Sequence, residues 1–226
     1  MKKNLILLLI SAATLPVCAQ KKTRPPAKMK LAVAAVLDTV YDDDQRYRLP
    51  IESVQKKYGS DSRQMDSLWE HMAERDSVDL EKVEYILGKY GWLGPDEVGG
   101  KASMAIFLVI QHSDSLTQVT YLPMMREAAQ KGKARPEDLA LLEDRVLCEQ
   151  GKGQIYGSQV RSGKDGKYTF FPIADEANVN KRRAAVGLEP LESYARSFGF
   201  VYHLPAPVAK PDTTQPPAAL PDTTHP

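Results

Sequence analysis

The stretch Ala102-Ser103-Met104-Ala105-Ile106-Phe107-Leu108-Val109-Ile110 decides the fold. Its side chains are apolar on nearly every side. A helix without a polar face is a central one, wrapped by other elements. At nine residues it is too short for a bilayer, which takes ~20. The wrapping elements lie on both sides of it. Upstream, Val33, Val36, Leu37, Val40 and Tyr41 keep helical spacing. Met65, Leu68, Trp69 and Met72 do the same after Asp61, which is placed as an N-cap with Gln64 three residues on. Leu80, Val83, Leu87 and Tyr90 form a third stripe, stopped by Gly91. The loop GWLGPDEVGG (91–100) then leads into the central helix.

Downstream, the pattern predicts a helix around 116–131 and another from Pro136 to about Glu149, with proline at its start. After Gly151 and Gly153 the texture becomes strand-like. Gln154–Arg161 and Tyr168–Ile173, separated by SGKDGK at 162–167, read as a hairpin with a long turn. A short helix is expected from about Asn178 to Gly187, and Pro190 opens a last one. The fold class is therefore mainly α (α+β): a bundle of about six to eight helices with one small antiparallel β-hairpin.

Composition bounds what this fold does. The chain has 226 residues, with 30 Lys and Arg against 29 Asp and Glu, for a formal charge of +1. Such a balance carries no electrostatic footprint of a general nucleic-acid binder. Hydrophobic residues at 42% suffice for a core and exclude wholesale disorder. Lys2 and Lys3, the apolar run Leu5–Ile10 and its small-residue continuation, and Val17-Cys18-Ala19 read as a secretory signal peptide over 1–19, with Gln20 as the new N-terminus. Export to the periplasm or the exterior follows. The alternative is a lipoprotein anchored through Cys18, although Val17 and Pro16 precede it. Residues 20–28 read as a linker and 29–204 as one globular helical domain. From Pro205 to 226 the chain is a Pro/Thr-rich tail, in which PDTTQP returns as PDTTHP, and it reads as disordered. No transmembrane segment is expected in the mature chain. Cleavage leaves Cys148 as the only thiol, either a nucleophile or a buried small hydrophobe beside Leu141, Leu142 and Leu147.

Polar residues stand where the pattern asks for apolar ones. The stripe Val33, Leu37, Val40 continues to Asp44 and Arg48, with Gln45 beside them. They make either an internal ion pair or a polar pocket wall, since local rules tend to break at sites. The central helix delivers Gln111-His112-Ser113-Asp114 at its end. Histidine suits proton transfer near neutral pH, and a carboxylate nearby fixes its tautomer; a surface or capped histidine is the plainer alternative. Gln154, Tyr156 and Ser158 alternate onto one strand face, with Gly157 and Gln159 on the other. Several motifs fail. GGKAS at 99–103 has Pro95 where a phosphate loop needs glycine and no Ser or Thr directly after Lys101. His-Glu-x-x-His and Gly-x-Ser-x-Gly are absent from the sequence. Lys181-Arg182-Arg183 reads as a solvated face or a salt-bridge donor. No metal site or cofactor is indicated.

Six islands together resemble an uncharacterised bacterial domain family of unknown function. They are Asp44-Gln45-x-x-Arg48, Gly91-Trp92 with Val98-Gly99, Gln111-His112-x-Asp114, Leu142-x-Asp144-Arg145, Gln154-x-Tyr156-Gly157-Ser158-Gln159, and Asn178-Val179-Asn180-x-Arg182-Arg183-x-x-Val186-Gly187-Leu188. The resemblance spans roughly 35–195 and departs at Leu93, where the family often has proline, and at Ser158, where threonine is common. It brings no activity. It implies that Asp44, Gln45, Arg48, Gln111, His112, Asp144, Arg145, Gln154, Tyr156, Gln159 and Arg183 form one polar set. Amides and arginines suit a polar or anionic ligand or peptide, the partner class expected for a binding module. The enzymatic alternative is a periplasmic hydrolase with His112 as general base, Asp114 or Asp144 orienting it, and Arg145 or Arg48 holding developing negative charge.

Overall fold

The computed structural model describes residues 27–163 and 166–205. The expected signal segment, most of the expected linker and the tail beyond Pro205 lie outside them. Among the described residues the fold is the mainly helical bundle expected, with one two-stranded antiparallel hairpin. The elements are α1 (Ala27–Arg48), α2 (Ile51–Tyr58), α3 (Arg63–Tyr90), α4 (Pro95–Val98), α5 (Gly100–His112), α6 (Ser115–Gln130), α7 (Pro136–Glu149), β1 (Val160–Ser162), β2 (Tyr168–Phe170), α8 (Val179–Ala185) and α9 (Leu191–Ser197).

Helix α5 is the hub. It packs against α1, α3, α4 and α6, and α6 in turn packs on α7. Ala102, Ala105, Ile106 and Ile110 are fully buried, as an all-round apolar helix demands. Small residues at 102 and 105 let neighbouring backbones approach. Leu37, Val40, Val83 and Leu87 close over them from α1 and α3. Burial of each such side chain contributes about 1.5–3 kcal/mol. No described helix is long and apolar enough to cross a membrane.

Helix α1 does continue through Asp44 to Arg48, so the polar residues share the buried stripe. It starts at Ala27, inside the stretch expected to be linker. The second and third predicted helices are one, the 28-residue α3. Residues 73–79 contain no glycine or proline, so nothing interrupts the backbone ladder between the two stripes. Its N-cap is Ser62, whose hydroxyl accepts from the Met65 N–H at 3.3 Å, in place of the expected Asp61. Trp69 is 48% exposed, because the buried line runs through Met65, Met72 and Val83 and leaves it to one side. Gly91 ends α3 as expected, donating to the Leu87 carbonyl at 2.9 Å.

The loop after α3 buries Trp92 and Leu93. Gly94 is required for what happens next. A Cβ there would sit 2.8 Å from the Lys133 Cα, so only glycine admits the chain that links α6 to α7.

The larger departure lies after α7. The hairpin is shorter than expected, with only Val160–Ser162 paired to Tyr168–Phe170. Residues 154–159, expected as strand, form an irregular loop with a single parallel bridge, Gln154 to Ile173. Gly157 bends it at φ +69°, and a Cβ there would meet Ile173 Cδ1 at 2.8 Å and Leu191 Cδ1 at 2.9 Å. The expected alternation of Gln154, Tyr156 and Ser158 on a strand face therefore does not arise.

Candidate functional site

The last turn of α5 points two polar side chains about 100° apart. His112 faces α1. Its Nδ1 lies 2.8 Å from Asp44 Oδ1. Arg48 Nη1 reaches the same oxygen at 3.0 Å, and Gln45 Nε2 donates to Oδ2 at 2.8 Å. Arg48 Nη2 extends the chain to Asp76 on α3 at 2.7 Å. The Asp44 side chain is 2% exposed. Burial pushes its carboxyl pKa up, but the His112 hydrogen bond and the charges of His112 and Arg48 outweigh burial and hold it below the usual range. A carboxylate facing Nδ1 requires that nitrogen to carry the proton, which leaves the Nε2 lone pair available in the neutral ring. The His112 side chain is 23% exposed, and among the described residues no hydrogen bond occupies Nε2. Asp44 therefore orients His112. Asp114 caps α6 by accepting from the Thr117 N–H at 2.8 Å, and Asp144 is turned elsewhere.

Gln111 faces α7. With its amide oxygen towards the donors, it accepts from Arg145 Nε at 3.0 Å and Nη2 at 3.3 Å. The Gln118 amide donates to the Gln111 and Ser113 carbonyls at 3.1 and 2.8 Å, locking α6 to the end of α5. The two arginines expected to hold negative charge are thus engaged, Arg48 by Asp44 and Asp76, and Arg145 by Gln111.

The rest of the set forms a second centre that holds the 154–159 loop. Asp144, with no exposed surface, accepts from the N–H groups of Ile155 at 2.7 Å, Tyr156 at 3.0 Å and Ser158 at 2.9 Å. Gln154, equally buried, donates to the Gln159 and Phe171 carbonyls at 3.0 Å each and accepts from the Gln159 N–H at 2.6 Å. The Gln159 amide in turn reaches Ser158 Oγ at 3.0 Å. Arg183 is 1% exposed, donates to the Tyr156 carbonyl at 2.8 Å and lies 5.0 Å from the Tyr194 ring centre. Arg182 donates to the Ile155 and Ala174 carbonyls at 2.7 and 2.6 Å. Of the basic patch, Lys181 is exposed and Arg182 also pairs with Asp175 at 3.3 Å, in line with the solvated or salt-bridging face expected, while Arg183 is an internal clamp that sequence did not indicate. An irregular buried loop cannot satisfy its own backbone, so side chains do it. The polar set divides into these two centres and the Gln111–Arg145 pair, each largely satisfied within itself.

Concave space lies elsewhere. Two cavities flank the 91–100 loop and share Trp92, Pro95, Gly132 and Lys133. One, of about 550 Å³, is largely polar, with Asp96 and Lys131 in its wall. The other, of about 750 Å³, is walled by Tyr41, Met104, Phe107 and Met125 and contains Asp138. Asp138 is 7% exposed, and burial pushes its carboxyl up to about 6. Sequence reading missed this residue. In the first turn of α7, behind Pro136, it looks like an acid placed for the helix dipole. A third cavity, of about 780 Å³, lies between β2 and the aromatic segment Phe198–Tyr202. Cys148 is half-buried, and burial pushes its thiol up to about 11, which suits the inert reading. Among the described residues no group of three His, Cys, Asp or Glu side chains is placed to hold a metal ion.

Neither a curated protein nor a solved structure matches the chain. One family model does, and it covers both polar centres and the Trp92 cavities. Matching residues 39–206, it shows that the chain belongs to a family of unknown function, DUF6624.

Proposed function

We propose that this protein is an exported binding module whose ligand occupies the cavity walled by Trp92 and Asp138. The observation that carries the reading is that cavity: about 750 Å³ of mostly apolar wall with one buried carboxylate in it. Small-ligand sites are typically apolar hollows of ~300–1,000 Å³ with a few fixed polar groups, and a displaced titration marks such groups. The sequence-based expectation of a polar or anionic occupant rested on arginines that hold loop carbonyls and carboxylates. The cavity instead favours a small molecule with an apolar body and one polar end. Export rests on the Lys2–Lys3 start and the Val17-Cys18-Ala19 junction. It places the module in the periplasm or outside the cell, with a lipid on Cys18 as the alternative. Mass analysis of the mature chain separates Gln20 from lipidated Cys18 as first residue.

A fragment panel screened by thermal shift tests binding. A fragment at 100 times its Kd stabilises by about 2.7 kcal/mol. Met104→Trp fills the cavity and is expected to abolish that stabilisation, while His112→Ala leaves it intact. Fragments that stabilise the wild type and Met104→Trp equally would remove the cavity from consideration.

A second reading is favoured by the 2.8 Å contact between His112 and Asp44. In it, the protein is a hydrolase whose His112 Nε2 takes a proton from water. An ester panel assayed with His112→Ala tests it, and turnover unchanged by the substitution would dismiss it.

A further inference from the structure

We infer that the Trp92 cavity takes an organic cation, an ammonium group on a short apolar body, with Asp138 as its counter-ion. This rests on the binding reading above and names the ligand class. Asp138 is the one acid in the cavity wall, and its side chain is 10% exposed. Among the described residues no hydrogen bond reaches its carboxyl. The nearest cation, Arg135 Nε, stands 3.6 Å away, beyond hydrogen-bond length, and the same guanidinium contacts Glu137 at 2.7 Å. The other two cations in the wall are also engaged: Lys101 with Asp42 at 2.6 Å and Lys133 with Glu97 at 2.8 Å. Arg135 is thus shared between Glu137 and Asp138, so the four acids Asp42, Glu97, Glu137 and Asp138 face three cations and one negative charge is left over.

A nine-tenths buried carboxylate with no hydrogen-bond donor and only a shared cation at 3.6 Å is costly, and a ligand that brings donors and positive charge relieves the cost. An ammonium brings three N–H groups. Trp92 and Phe107 add aromatic rings to the wall, which favour a cation further, while the Tyr41 ring already has Lys101 Nζ 5.5 Å from its centre; Met104 and Met125 accommodate a flexible alkyl body. A carboxylate ligand would be repelled, and an alcohol would fill the hollow with a single donor.

Isothermal titration of the full chain with 1-hexylammonium, 1-hexanol and hexanoate tests the inference. At about pH 8 hexylammonium is expected to bind about tenfold or more tighter than hexanol, and Asp138→Asn to erase that preference. Wild type read at about pH 5 needs no variant to fold: below about 6 the carboxyl takes its proton and the preference disappears. The groups sharing the cavity with Asp138 are Arg135, Tyr41, Lys101 and Lys133, with Glu137 beside it on α7. Hexanol or hexanoate binding as tightly as hexylammonium, or a preference that survives Asp138→Asn, overturns the cation assignment alone. No binding by any of the three overturns the cavity reading with it.

Discussion

Replacing Asp138 with asparagine changes how stability depends on pH, and the size of the change follows from burial. Water is taken from the carboxyl, which disfavours its charged form, and the Arg135 guanidinium at 3.6 Å offsets only part of this. The folded-state pKa is raised to about 6, against an ordinary aspartate near 3.9 in the unfolded chain. A proton held more tightly when folded stabilises the fold below about pH 4. That contribution is lost as pH rises through about 6. About two pH units at 1.36 kcal/mol each give about 3 kcal/mol between the limits. Urea unfolding of wild type and Asp138→Asn near pH 4 and near pH 8 isolates the effect, since other titrating groups cancel between the two proteins. The variant is expected to gain about 2–3 kcal/mol on wild type between those conditions. The difference between conditions also removes any fixed cost of the amide. A gain below about 0.5 kcal/mol, the scatter of ordinary surface substitutions, would refute the claim that this carboxyl is buried without donors.

Asp144→Asn places an amide N–H₂ against the donors of Ile155, Tyr156 and Ser158 and is expected to cost about 2–4 kcal/mol in urea unfolding. A loss under about 1 kcal/mol would show that the loop does not depend on it. Asp44→Asn is expected to cost about 3 kcal/mol near pH 7, since it leaves Arg48 and His112 with a weaker acceptor. Because the Asp44 carboxyl is held below its ordinary range, wild type loses this advantage as pH falls into the acid range; an unchanged acid limb in the variant would contradict the assignment. Alkylation of Cys148 at about pH 8 is expected to run about a hundredfold slower than that of free cysteine, since its thiol is pushed up to about 11. Labelling at the free-cysteine rate would mean that the thiol is not shielded.

What sequence alone determined about this protein is its local periodic order. The apolar run at 102–110 could only be a central helix, and Val33, Leu37 and Val40 carried α1 into Asp44 and Arg48 as part of the buried stripe. Gly91 and Pro136 marked helix ends correctly, because caps and stops depend on backbone groups a few residues away. The pattern also brought Asp44, His112 and Gln154 forward as polar residues out of place, and the family resemblance added Asp144.

Only the tertiary structure decided what they do. Asp144 lies 11 to 14 residues before the N–H groups it accepts, and Arg183 lies 27 residues after the carbonyl it clamps. No periodicity encodes such partners. The same holds for His112, whose orienting carboxylate is Asp44, 68 residues away, while the adjacent Asp114 serves as a cap. The cavity is the extreme case. Tyr41, Trp92, Met104, Met125 and Asp138 come from five separate parts of the chain. A hollow is space that packing fails to fill, and it has no representation in a sequence until all its walls are in place.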